Sequence, residues 1–334
     1  MFKVKVLNQE VLEEVLEMEM VIEAIEQVYT LKAENKTALF PMVFHEFNPG
    51  VADMDIKSGH LKGADIFGLK LVSWYGENKD KGLPLLIGTT MIFDATTGAP
   101  LAILNADHIT GMRTGAAGAI GAKYLAKKGA RKMLMVGTGH IAQFEIAASL
   151  LAVDSIDTVR IYDPMDSVKS NAYAKSIKEK LEKHFNITKD IRFEAVTDLQ
   201  EAVEDSEIII TATPSRKAMI LKDWVQAGTH ISCVGADMEG KQEIDENLFK
   251  NNIVIVDDVN QAINVGETET AYKAGLISDD IPEIGQVILG QKGRQSDDDI
   301  TIFDSTGIAL QDLMTSKIAL ELAEKKNLGV TIDL

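Results

Sequence analysis

Cysteine is almost missing from this 334-residue chain. Cys233 stands alone, so no intrachain disulfide can form, and a reducing, cytoplasmic setting is expected. Cys233 follows Ile231 and Ser232 in an apolar run and reads as a buried, inert thiol. Positive charge is also scarce. Lys and Arg total 34 against 51 Asp and Glu, a formal net charge of −17, with no basic stripe to offset it. Such a surface repels nucleic acid and anionic membrane, so neither is expected as a partner. The 6 histidines are dispersed without metal-ligand spacing, so no metal is expected. Long apolar runs are lacking too. The N-terminal MFKVKVLNQEVLEEV carries charges throughout and reads as neither signal peptide nor membrane anchor. No repeat or low-complexity segment interrupts the chain. What is present, 46% hydrophobic and 25% charged residues, describes a globular protein long enough for two domains.

The most informative stretch runs from Arg131 to Asp163. Met133 to Val136 is a short apolar run ending in Gly137, and Gly137, Gly139 and Ala142 form G-x-G-x-x-A. A helical pattern follows, with Ile141, Phe144, Ile146, Ala147, Leu150 and Leu151 largely on one side. A second strand, Thr158 to Tyr162, ends at Asp163. Gly137 permits the tight turn, Gly139 lets a pyrophosphate approach the helix N-terminus, and Ala142 lets helix pack on strand. Asp163, about twenty residues on, can accept from ribose hydroxyls and would repel a 2′-phosphate. The plain alternative is an ordinary glycine turn. The register of strand, glycines, helix, strand and acid favours a dinucleotide site for NAD rather than NADP.

The rest of the chain alternates in the same way. A strand at residues 3–7 precedes a helix capped by Asn8. Residues 39–63 read as irregular, broken by Pro41, Pro49, Gly50 and Gly59, with Asp53, Asp55 and Lys57 forming a polar loop or a substrate-facing edge. Lys70 interrupts the apolar strand Phe67 to Tyr75. Such a lysine needs an anionic partner unless it guards a sheet edge. Strands 85–93 and 100–104 form a hairpin turning at Thr97-Gly98. Thr110 is expected to cap a helix slimmed by Gly115, Gly118 and Gly121, which implies close backbone packing. Arg113 then falls in the first turn, where positive charge is unfavourable. It is either placed for an anionic ligand or a surface arginine. Past the central unit, strands are expected near 193–196, 207–212, 229–235, 252–256 and 299–303, with a C-terminal helix from about Ser305. Asp237 and Lys241 fall just past a strand end, where catalytic residues of parallel sheets collect.

Several blocks, in order, resemble the ornithine cyclodeaminase/mu-crystallin family. They are Gly68-Leu69-Lys70-Leu71-Val72, Ile109-Thr110-Gly111-Met112-Arg113-Thr114 with its Ala/Gly helix, Val136-Gly137-Thr138-Gly139-His140, Gly235-Ala236-Asp237 with Gly240-Lys241-Gln242-Glu243, and Phe303-Asp304-Ser305-Thr306-Gly307. The resemblance implies an α/β fold: a Rossmann-type doubly wound sheet domain at 118–305, and a discontinuous α+β domain for substrate binding and dimerisation at 1–117 and 306–334. A homodimer is expected. Lys70 and Arg113 match residues that hold a substrate carboxylate, and Asp237 matches the acid-base residue; Asp237 and Lys70 are the expected catalytic pair. Gly137, Gly139, His140, Ile141, Asp163, Arg113, Thr114, Thr213, Lys241 and Ser305 are the expected NAD contacts.

The resemblance also frames the chemistry. In a cyclodeaminase, hydride leaves Cα to give an imine, the side-chain amine attacks, ammonia leaves and hydride returns. An alanine dehydrogenase uses the first half, with water as nucleophile. Ornithine cyclodeaminase is the expected activity, with alanine dehydrogenase or cyclic imine (pyrroline-2-carboxylate) reductase as alternatives. A non-catalytic ligand-binding protein like mu-crystallin is a reading of another class, and retention of Asp237, Lys70 and Arg113 argues against it. The chain departs from the family pattern where Val43 stands in place of an arginine, and where IKSG replaces a Met-Pro segment. Lys57 is then the expected replacement cation, and Asp55 the acid that senses a distal substrate amine.

Overall fold

The parallel strands of the central region are short and buried on both faces, which is why they read as near-continuous apolar runs. In the computed structural model, which describes residues 2–334, they form a seven-stranded sheet. Its spatial order is Arg192–Ala195, Thr158–Tyr162, Lys132–Val136, Ile208–Thr211, His230–Cys233, Thr301–Asp304 and Ile253–Val256, all parallel. The order reverses at Lys132–Val136, so the crevice for a ligand lies beyond its carboxyl end and that of Ile208–Thr211. This doubly wound sheet, within the compact unit Thr114–Gly307, is the Rossmann arrangement. Cys233 lies inside it, and burial pushes its thiol well above the ordinary range.

The other compact unit, Met1–Arg113 with Ile308–Leu334, is built on an eight-stranded mixed sheet. The order is Val330–Asp333, Lys3–Leu7, Pro100–Asn105, Leu86–Asp94, Ile66–Tyr75, Ala52–Leu61 and Thr37–Leu39, with Val43–Asn48 also pairing onto Ala52–Leu61. Residues 39–63 are therefore mostly strand, not irregular. Pro49 and Gly50 turn a hairpin, Gly50 at φ +69°, rather than ending regular structure. Lys70 lies on an interior strand, which excludes the edge-guarding role. The C-terminal helix, Ala309–Lys325, packs against strands Ala52–Leu61 and Ile66–Tyr75. Two glycines opposite one another, Gly59 and Gly68, admit it: an added Cβ would lie 2.9 Å from Leu310 and from Leu313 respectively.

Three local expectations are corrected. The helix containing Arg113 spans Ala106–Leu125, started by Asn105, whose side chain accepts from the Asp107 N–H at 2.9 Å. Thr110 therefore caps nothing, and Arg113 lies about two turns in. The C-terminal helix starts at Ala309 because the Thr306 hydroxyl and Gly307 N–H bond to Asp257, and Gly307 takes φ +75°. Strand Val330–Asp333 and a two-stranded sheet of Arg216–Ile220 with Gln242–Ile244 have no counterpart in the sequence pattern.

The slim helix packs closely, as its glycines imply. A Cβ at Gly115 would fall 2.4 Å from the Phe144 carbonyl oxygen, a backbone atom with no room to yield. Alanine gains helix propensity, but the clash outweighs it. Gly115→Ala is expected to destabilise by ~1–3 kcal/mol in urea unfolding.

Candidate active site

Strand pairing puts Lys57 directly opposite Lys70. Both lie on the face where Gly59 and Gly68 admit the C-terminal helix, whose Asp312 pairs with Lys70 and feels the charge of Lys57. Lys70 Nζ donates to Asp312 Oδ1 at 2.9 Å and to Thr110 Oγ1 at 3.4 Å. Arg113 Nε donates to the same Asp312 oxygen at 3.1 Å, and its Nη1 donates to Gln311 Oε1 at 3.2 Å. Gln311 is oriented in turn by donating to the Tyr29 hydroxyl at 2.6 Å. Lys57, Lys70 and Arg113 are all under 9% exposed, and Asp312 is fully buried. Three buried cations thus surround one carboxylate. Burial, Arg113 and Lys57 lower the Lys70 pKa to about 8 against the opposing pull of Asp312. Burial works to raise the Asp312 carboxyl, but Arg113, Lys70 and Lys57 outweigh it and hold it below the usual range. An excess of desolvated positive charge is a site for an anion. Asp55 shares the strand face of Lys57, two residues away. Asp312 is not among the residues that the sequence pattern singles out. Its signal was the one that marked Lys70, a charge inside an apolar run, here Gln311-Asp312 between Leu310 and Leu313.

At the carboxyl edge of the seven-stranded sheet, Gly137, Thr138, Gly139, His140 and Ile141 form the loop after the first strand. Gly137 has φ +109°, and a Cβ there would lie 2.6 Å from the Ala212 carbonyl oxygen. A Cβ at Gly139 would meet nothing within 4 Å, so that side of the loop is open. No side chain caps the helix Ala142–Ala152, so the positive end of its dipole faces the loop and suits a phosphate there. The His140 ring packs edge-on against Phe144. Asp163 accepts from the Thr138 hydroxyl and from Met165 N–H at 2.9 Å. These bonds outweigh its partial burial and keep its carboxyl below the ordinary range. The residues fit a dinucleotide with free ribose hydroxyls.

The neighbouring strand ends supply the remaining candidates. Thr213 is buried, with its N–H and hydroxyl on Glu243. Asp237 begins no helix; its carboxylate pairs with Lys241, whose Nζ also reaches the Gly235 carbonyl at 3.4 Å. Ser305 donates to Asp257 at 3.3 Å. Thr114 is buried in the helix one residue beyond Arg113. Within each unit the structure gathers its candidates: Lys57, Lys70 and Arg113 in one, and the glycine loop, Asp163, Thr213, Asp237, Lys241 and Ser305 along one sheet edge in the other. A cavity of about 540 Å³ opens at the opposite, amino edge of that sheet. Its charges are already matched in the pairs Lys127–Glu207, Arg131–Asp157 and Lys132–Asp205. Among the described residues no group of three or more His, Cys, Asp or Glu is disposed to hold a metal, and no helix is long and apolar enough to cross a membrane.

Comparison with known proteins follows the same lines. The description of the ornithine cyclodeaminase/mu-crystallin family matches residues 3–327. An alanine dehydrogenase of Archaeoglobus fulgidus is 38% identical over 331 residues, 98% of this chain and 97% of that protein. A solved archaeal alanine dehydrogenase, a dimer with bound NAD, superposes with a TM-score of 0.89 at 36% identity over 100% of both chains. The Δ1-pyrroline-2-carboxylate reductase of Thermococcus litoralis, solved with NADH and L-proline, gives 0.90 at 29% identity, covering 98% of this chain and 100% of that one.

Proposed function

The chain belongs to the ornithine cyclodeaminase/mu-crystallin family, and on that premise we propose that it is an NAD(H)-dependent oxidoreductase working at the Cα–N bond of a small α-amino or α-imino acid, alanine first among the candidates. The observation that carries this reading is the buried surplus of positive charge at Lys57, Lys70 and Arg113, which suits the carboxylate every such substrate shares. The cofactor is NAD, which when bound supplies the hydride acceptor or donor. The unit Thr114–Gly307 is its binding domain, and the unit Met1–Arg113 with Ile308–Leu334 holds the substrate. Lys70 and Arg113 grip the carboxylate and leave Cα in a fixed orientation. Asp237 exchanges protons with the substrate nitrogen or with attacking water. Gly137, Gly139, His140, Ile141, Asp163, Thr114, Thr213, Lys241 and Ser305 surround the dinucleotide.

Ornithine cyclodeaminase is a second reading, favoured by Asp55 on the strand face of Lys57, where a carboxylate would meet a distal ammonium. NADH absorbance with product analysis separates the two. Alanine with NAD⁺ is expected to give net NADH. Ornithine converted to proline without net NADH would assign the cyclodeaminase, and binding of either without conversion would overturn an enzymatic reading. In the same assay NADPH is expected to be the poorer cofactor, because the Asp163 carboxylate repels a 2′-phosphate. Equal use of NADPH would remove Asp163 from that role.

The solution species is proposed to be a homodimer. Val43, Phe47, Leu71 and Ile87 are exposed apolar side chains on one face of the eight-stranded sheet, as at a self-association face. Light scattering is expected to give twice the mass of the 36.5 kDa chain; a stable, active monomer would contradict it.

A further inference from the structure

The strands Ile208–Thr211 and His230–Cys233 pair in register up to Thr211 opposite Cys233, with one further bond from Val234 N–H to the Thr211 carbonyl. Beyond that point their ends are joined through a side chain from outside the sheet. Glu243, on the short strand Gln242–Ile244, is fully buried. Its Oε1 accepts from the Thr213 N–H at 2.7 Å and the Thr213 hydroxyl at 2.8 Å. Its Oε2 accepts from the Thr211 hydroxyl at 2.7 Å and the Gly235 N–H at 3.0 Å. Four donors fill the acceptor capacity of a carboxylate. Gly235 must be glycine for this approach, since a Cβ would stand 2.6 Å from Oε2. Glu243 is itself held from behind. Its backbone N–H lies 2.8 and 2.9 Å from the two oxygens of buried Glu267, which also takes the Ile244 N–H at 2.7 Å.

We infer that Glu243 is a positioning residue that locks the Thr213 loop to the Gly235–Asp237 loop, and that only a carboxylate can do it. The consequence for turnover rests on the roles proposed above for Thr213 and Asp237. Each Glu243 oxygen accepts one backbone N–H that cannot rotate away. A glutamine in either orientation sets its NH₂ against the Thr213 N–H or the Gly235 N–H, donor against donor. One strand end must then move, and Asp237 is two residues beyond Gly235. Displacement of a reacting group by about 1 Å is worth ~10²-fold in rate.

The test is Glu243→Gln in the full-length protein. Amide hydrogen exchange without cofactor is expected to quicken in at least one of the segments 212–215 and 234–237 and to stay unchanged at 158–162. Well below Tm, kcat with NAD(H) is expected to fall ~10²-fold while the substrate KM changes little, since the carboxylate grip lies on other residues. Unchanged exchange in both segments overturns the brace. A lowered Tm with unchanged kcat overturns its positioning role and leaves a structural one. If the unmodified protein turns over no amino or imino acid, the functional reading falls, and the exchange result still decides the brace. Should Glu243→Gln not fold, Glu267→Ala, which removes the acceptor behind the Glu243 and Ile244 N–H groups, must quicken exchange in the same segments; normal exchange there refutes the proposal.

Discussion

Asp237→Asn is expected to fold normally, bind NADH with near-native affinity and lose at least ~10²-fold in turnover, the range typical of a lost general acid-base group. The structure sharpens this expectation by removing a competing role. No helix starts at residues 238–241, so Asp237 is not a cap whose amide substitute would serve equally well. It pairs with Lys241, its own side chain 50% exposed. A pair so open to water contributes ~0–1 kcal/mol, so asparagine should cost little stability. Asparagine can still accept a hydrogen bond from Lys241, but it cannot take up and return a proton at pH 7. The two effects are therefore separable: thermal unfolding should barely move while kcat collapses. Turnover near the unmodified level would show that Asp237 only anchors Lys241.

How far these residues could be found without coordinates depended on how local their signals are. The nucleotide fingerprint is contiguous, with strand, glycines, helix and Asp163 in one stretch, so periodicity and turn chemistry were enough. Cys233 and the glycine-slimmed helix were legible for the same reason. The substrate side was harder. Pro49, Gly50 and Gly59 read as breaks in the sequence, yet Gly50 serves a hairpin and Gly59 lies within a strand, making room for Leu310. Thr110 reads as a cap because an N-cap hydroxyl and a half-buried hydroxyl within a helix are indistinguishable in sequence. Asn105 holds that position, and the Thr110 hydroxyl accepts from Lys70 instead. Asp312 lies 242 residues from Lys70, and no local pattern encodes a pair at that separation. The demand was visible even so. A lysine in an apolar strand requires an anion, and only the fold could name it. Glu243 stood within a matched motif, but its role depends on two strand ends converging on it.

Asp312→Asn should have the larger effect on stability and a distinctive effect on pH dependence. Removing this carboxylate leaves Lys57, Lys70 and Arg113 buried beside one another with no anion at the point where two of them now meet. Breaking such a buried pair costs ~3–5 kcal/mol. The cost should vary with pH in a direction fixed by Lys70. Its pKa in the folded protein, about 8, lies below the value of 10.5 for a free lysine. Between those values the unfolded chain binds the extra proton, so stability rises with pH across that window, and below it the charged lysine is a burden to the fold. Loss of Asp312 removes an influence that raises the Lys70 pKa, so the folded value falls further and the window widens downward. Calorimetry should then find Asp312→Asn more destabilised at pH 6 than at pH 9, and an equal loss at both would exclude Lys70 as the responsible group. Activity should report the same titration. A neutral Lys70 cannot pair with the substrate carboxylate, so kcat/KM of the unmodified enzyme should decline above pH about 8. In Asp312→Asn that decline should begin at lower pH. Substrate should also raise the variant's Tm more than the native protein's, because its carboxylate restores an anion among the cations. An alkaline limb in the same place in both proteins would mean that the grip on the substrate does not depend on the charge of Lys70.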